Sequence, residues 1–132
     1  MTKVLIIGGV GPLREAIADV LRDADFSTLT AGDGVEGLEQ VQTHLPDLIL
    51  CNMDMPRLDG YGVFTELQRS PKTASIPFLL MTSPMEQSAH SDGEMLGVDR
   101  LYKPFNVSHL VSVVQTKLSK ARKTVEYQPN LR

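Results

Sequence analysis

The sequence has one cysteine, no tryptophan, four phenylalanines and three tyrosines. A single cysteine excludes an internal disulfide. Cys51 stands inside the apolar run LILC, where it reads as a small buried hydrophobe rather than a reactive thiol. Neither charge sign dominates: 13 Lys and Arg stand against 16 Asp and Glu, a net charge of −3 that gives no general attraction to nucleic acid or an anionic membrane. No apolar run approaches the roughly 20 residues that span a bilayer. The opening MTKVLIIGG is too short in its apolar part, and wrongly flanked, for a secretory signal. The three histidines, His44, His90 and His109, are dispersed and lack metal-ligand spacing, so they read as surface residues. These absences lead us to expect a cytoplasmic protein without a membrane span, a metal centre or a cofactor.

What is present is an alternation of two periods within 132 residues, a length suited to one core. Val4–Ile7, Leu48–Cys51 and Phe78–Met81 are continuous apolar runs of strand length, as strands covered on both faces require. Ser27–Ala31 is less apolar and suits an edge strand, and Leu101 and Tyr102 form a short last candidate. Between them, apolar residues recur at helical spacing: Leu13, Ile17, Val20, Leu21 and Ala24; Val35, Leu38, Val41 and Leu45; Phe64 and Leu67; Leu110, Val114, Leu118 and Ala121. Strands alternating with helices predict a parallel α/β sheet, doubly wound because crossovers are right-handed, with ligand sites at the carboxyl ends of the strands.

Local signals set the boundaries. Pro12 fits the first turn of the first helix. Asp33-Gly34 leads into the second, and Asp59 and Asn106 suit the caps of the third and last. Pro46, Pro71 and Pro77 punctuate loops. The segment MEQSAHSDGEML, residues 85–96, is a weak fourth helix with Gly93 inside it, and is expected to be short or irregular. The helical pattern ends near Arg122.

The segment PDLILCNMDMPRLDG, residues 46–60, resembles the strand-end signature of two-component receiver domains. The resemblance extends over about residues 3–122 and implies a five-stranded sheet of order 2-1-3-4-5 with helices on both faces. It sets the domain at 1–122, with 123–132 as a tail or the start of a linker. In that family the residue matching Asn52 is a phosphoaccepting aspartate, and those matching Gly8 and Gly9 form an acidic pair that binds Mg²⁺. Thr82, within FLLMTS, matches the family's hydroxyl residue; Lys103 and Pro104, within YKPF, match its lysine and cis-prone proline. The switch aromatic three residues before that lysine is replaced by Arg100. Tyr102 is the nearest aromatic, but strand alternation argues against its taking that place.

An amide cannot act as the nucleophile that forms an acyl phosphate. Mg²⁺ is held by one or two carboxylates together with phosphate oxygens, which Gly8, Gly9 and Asn52 do not offer. Asp54, the nearest carboxylate, is expected past the strand end as a solvated loop residue that pairs with Lys103; a hydrogen bond from Lys103 to Asn52 is the other expected compensation. The sequence thus predicts a degenerate receiver that signals through protein partners without phosphorylation and without catalysis. The expected contact surface is the face of the fourth helix, fifth strand and last helix, where Met85, Met95, Leu96 and Tyr102 offer an apolar patch for a partner or a second copy.

Other readings are weaker. GGVGP suggests a phosphate-cradling turn, and hence a nucleotide- or small-ligand-binding flavodoxin-like domain, but Arg14 stands where the dinucleotide fingerprint needs a third glycine. Lys117, Lys120, Arg122 and Lys123 cluster in the last helix, where cations complement the helix dipole without any DNA contact. Ser83, Ser88 and Ser91 lie near His90, but nothing resembles a nucleophile elbow.

Overall fold

In the computed structural model, residues 1–83 and 98–126 are described, the side chains as far as Ala121. Five strands, β1 (Lys3–Ile7), β2 (Ser27–Ala31), β3 (Leu48–Asn52), β4 (Phe78–Thr82) and β5 (Asp99–Tyr102), form one parallel sheet of order β2-β1-β3-β4-β5. The described helices are α1 (Gly11–Asp23), α2 (Gly34–His44), α3 (Gly60–Gln68), a single-turn α4 (Pro71–Ala74) and α5 (Val107–Glu126).

The alternation along each strand divides the core in two. Val4 and Ile6 of β1, Leu48 and Leu50 of β3, Leu79 and Met81 of β4, and Leu101 of β5 face Ile17, Ala18 and Leu21 of α1 and Leu110, Val114 and Leu118 of α5. The intervening residues, Leu5, Ile7, Ile49, Cys51, Phe78 and Leu80, face Val41 of α2 and Val63 and Leu67 of α3. Both faces of β1, β3 and β4 are therefore covered, which explains why those strands read as unbroken apolar runs. Each fully buried Leu or Ile contributes about 1.5–3 kcal/mol from transfer alone, so the sandwich is held chiefly by these two layers. Gly37 lets α2 lie close on β1: a Cβ there would stand 2.6 Å from Ile7 Cδ1.

The caps fall where the sequence puts them. Asp33 Oδ1 accepts from Glu36 N at 2.9 Å, Asp59 Oδ1 from Gly62 N at 2.8 Å, and Asn106 Oδ1 from His109 N at 2.7 Å. Pro12 sits in the first turn of α1.

Several expectations are corrected. Leu13 is half exposed, because it lies at the open end of α1 rather than under it. Leu45 is also exposed: it ends α2 in the left-handed conformation, φ 45°, with its N–H on Val41 O at 2.9 Å. Pro71 opens α4 rather than merely interrupting a loop, since its missing N–H is no loss at a first helical position. β5 takes in Asp99 and Arg100 before Leu101, and α5 continues past Arg122 to Glu126. The weak-helix expectation for 85–96, including Met85, His90, Gly93, Met95 and Leu96, lies outside the described residues.

Candidate functional site

The strand order brings the predicted site residues to one end of the sheet. Gly8 and Gly9 follow β1, Asn52 ends β3, Thr82 ends β4, and Lys103 follows β5. Lys103 N donates to Thr82 O at 2.8 Å, and the Lys103–Pro104 peptide bond is cis.

Gly8 and Gly9 both adopt the left-handed backbone, φ 82° and 80°, which glycine tolerates without a Cβ penalty. Gly8 N donates to Ala31 O at 2.8 Å, so the turn after β1 is tied to the end of β2. A Cβ on Gly8 would fall inside the thioether of Met55 and only 2.7 Å from its Cγ. Met55 itself is buried. The volume beside Gly8 is thus occupied by a sulfur-bearing side chain from the loop after β3. The carbonyls of the two glycines face a cation: Arg14 Nη1 donates to Gly9 O at 2.8 Å and to Gly8 O at 3.5 Å.

Asn52 is buried, with 8% of its surface exposed. Its Nδ2 donates to the main-chain oxygen of Asp54 at 2.8 Å, turning the chain sharply after the strand. The Asp54 side chain points to solvent, as expected of a loop carboxylate. The expected hydrogen bond from Lys103 to Asn52 Oδ1 and ion pair from Lys103 to Asp54 do not form among the described residues: the side-chain hydrogen bond of Asn52 is the Nδ2 donation to Asp54 O, and the Asp54 carboxylate is exposed. These residues do not suit Mg²⁺. A hard dication needs anionic oxygens, whereas the glycine oxygens bind a guanidinium, and among the described residues no three His, Cys, Asp or Glu side chains converge.

Thr82 is fully buried, and its Oγ1 donates to Ser83 O at 3.2 Å. In the β4–β5 register Leu80 pairs with Arg100 and Thr82 with Tyr102. Residues 100 and 102 are two apart and so share one face, the face of Thr82, while Leu101 enters the opposite core. The alternation argument against Tyr102 is therefore corrected: Tyr102 lies level with the Thr82 hydroxyl, on its side of the sheet, with 47% of its surface exposed.

The loop after β3 has a further anchor. Arg57, at φ 69°, places Nη2 3.0 and 2.9 Å from the two carboxylate oxygens of Asp33, with Nε 3.1 Å from Oδ2. The backbone N–H of Glu36, together with the Arg57 guanidinium, holds the Asp33 carboxyl below the usual carboxylate range, against a smaller opposing effect of partial burial. On the other side of the sheet, Asp99 of β5 is ion-paired with Lys117 of α5. Burial pushes the Cys51 thiol far up, consistent with an inert core residue.

Between α1 and these strand ends lies a cavity of about 280 Å³. Its apolar wall comes from Leu13, Ile17, Met81 and Phe105, and Arg14 and Lys103 line its polar side. Sequence reasoning singled out Lys103 but passed over Arg14, Met55 and this apolar wall. The adjacent Leu13 and Arg14, an apolar and a cationic side chain in the first turn of α1, were the available signal.

A parallel, doubly wound sheet of order 2-1-3-4-5, with threonine and lysine–cis-proline at adjacent strand ends, defines a signalling domain of the receiver kind. The chain belongs to the response regulator receiver domain family, whose sequence pattern matches residues 4–115. It is 32% identical over 123 residues to the transcriptional regulatory protein PdtaR of Mycobacterium tuberculosis, covering 91% of this chain and 58% of that one. It is 30% identical over 122 residues to the probable transcriptional regulator ycf27 of Guillardia theta, covering 92% and 47%. The crystal structure of a response regulator from Chloroflexus aurantiacus superposes with a TM-score of 0.80 at 32% identity, over 89% of this chain and 98% of that one. The chain spans about half the length of the curated relatives it matches. Among the described residues, no helix is long and apolar enough to cross a membrane.

Proposed function

We propose that this receiver domain is a degenerate one, acting in the cytoplasm through protein–protein contacts that do not depend on phosphorylation, and without catalysing a reaction of its own. The observation that carries this reading is the state of Asn52. A neutral amide ends β3, and its one donor interaction ties it to the loop backbone rather than to an incoming group. Arg14 supports it, because its cationic guanidinium already holds the two carbonyl oxygens of the turn after β1. With an amide at position 52 and glycines at positions 8 and 9, the matched positions supply neither the nucleophile nor the metal ligands that phosphoryl transfer to the domain requires.

The partner surface in this reading is the face of β5 and α5 together with the segment between β4 and β5, the partner being another protein or a second copy. Tyr102 and the Lys117–Asp99 pair lie on or beside that face. The proposal includes no direct nucleic-acid or membrane contact; any transcriptional output is reached through the partner. Incubation with acetyl phosphate and Mg²⁺, followed by intact-mass and peptide analysis, is expected to give no stable phosphoryl adduct. An adduct on Asp54 overturns the proposal. A pull-down with Tyr102→Glu and Lys117→Glu is expected to lose partners that the unaltered domain retains.

A further inference from the structure

The cavity beside α1 has properties that signalling through the β5–α5 face leaves unused. We propose that it binds a small organic anion with an apolar body, of the size of a single-ring aryl or cycloalkyl carboxylate. This inference goes beyond the proposed function, although the cavity is bordered by Gly8, Gly9 and Asn52 of the same strand-end site.

The first is wall chemistry. Leu13, Ile17, Met81 and Phe105 give the cavity an apolar lining, and none of its described lining residues is acidic. Two cationic side chains, Arg14 and Lys103, line the same space. The second is the state of Arg14. Its hydrogen bonds run to two neutral carbonyls, Gly9 O and Gly8 O, both through Nη1. A guanidinium carries five N–H donors in a planar fork suited to a carboxylate. Glu36 Oε1 lies nearby across Gly32, but no ion pair joins Arg14 to a carboxylate among the described residues, so an entering anion gains a charge-assisted partner without displacing one.

The third observation is size and access. At about 280 Å³ the cavity lies at the lower end of small-molecule sites. That volume suits one ring and a head group, and it disfavours a nucleotide, whose ribose and base would need many more polar partners than these walls supply. Leu13 is half exposed and Val10 more so, which leaves an apolar mouth at the start of α1. The apolar wall selects against a hydrated inorganic anion, and Arg14 selects against a neutral molecule of the same shape.

Amide NMR titrations with benzoate, benzamide and inorganic phosphate test this on the intact chain. Benzoate is expected to give saturable shifts at Gly9, Leu13 and Phe105, with benzamide and phosphate each at least about tenfold weaker. Arg14→Gln is expected to weaken benzoate by about tenfold with no change in its preference over phosphate, and Leu13→Ser to weaken benzoate while leaving phosphate unaffected. Both substitutions are on exposed or half-exposed positions of α1, and a melting curve of each confirms that it is folded. Equal affinity for benzoate and benzamide, phosphate binding as tight as benzoate, or no saturation at the cavity residues overturns the proposal. The acetyl phosphate experiment is independent of this outcome, so the two readings can fail separately.

Discussion

The Met55 thioether occupies the space into which any side chain on Gly8 would have to project. That single packing relationship makes the turn after β1 a glycine position twice over, once by volume and once by its left-handed φ of 82°. Gly8→Ala is therefore expected to destabilise by about 2–4 kcal/mol, combining a left-handed backbone penalty with overpacking. Urea denaturation measures it. In a double-mutant cycle with Met55→Ala the two losses should not add, with a coupling of more than about 0.5 kcal/mol. Simple additivity would show that Met55 is not what fills the site.

Introducing acidic residues at these positions should not create a metal site. The triple variant Gly8→Asp, Gly9→Asp, Asn52→Asp is expected to melt below the unaltered chain and to show no saturable Mg²⁺ shifts, because the Met55 thioether leaves no room for a side chain on Gly8 and Arg14 keeps a positive charge on the turn after β1. Saturable millimolar shifts at residues 8, 9 and 52 would contradict this.

The Asp33 carboxyl carries a pH dependence whose sign follows from its lowered titration. A carboxylate with a folded-state pKa below its unfolded value adds stability that is present above the usual carboxylate range and disappears as the pH falls through the folded value. Asp33→Ala should therefore lower the urea midpoint at neutral pH, and the difference from the unaltered chain should shrink once the solution is more acidic than the folded-state titration. Arg57→Ala should remove part of the effect and leave the helix cap intact.

Cys51 should resist thiol reagents in the native protein and react only on unfolding, since it is buried in the core and its thiol is held protonated. Reaction with a chromogenic disulfide at neutral pH, followed with and without denaturant, reads this out. Rapid native labelling would mean that β3 opens readily.

Removal of a cap gives a smaller, local effect. Asn106→Ala is expected to destabilise by about 1 kcal/mol, because it strips the acceptor from His109 N at the start of α5. Asn106→Asp should be nearly neutral.

Much of this architecture is visible in the residues themselves. Strands covered on both faces must be apolar throughout, so β1, β3 and β4 announce themselves, and Asp33, Asp59 and Asn106 mark helix starts through side chains that serve no other local purpose so well. The misplaced positions have a common physical cause. Leu13 and Leu45 satisfy helical periodicity, yet each sits at a helix end, where burial depends on what lies opposite rather than on spacing. Asn52, Thr82 and Lys103 were legible through the resemblance to the receiver family, whose motifs place them at strand ends. Arg14 and Met55 were not, because their importance comes from what they touch: a guanidinium on two glycine carbonyls and a thioether in a neighbour's empty side-chain space. Tyr102 was misjudged by one step of alternation, which the β4–β5 register resolves.

The bond from Asn52 Nδ2 to the Asp54 carbonyl makes position 52 selective for an amide. An ionised aspartate at that position has no N–H to offer, and its oxygen would confront a carbonyl oxygen across the same gap. An Asn52→Asp substitution therefore meets repulsion, and the loop would have to re-form to relieve it. The amide works as a latch: the backbone after β3 is settled onto it, and an ionised residue at position 52 has to release that backbone before it can do anything else.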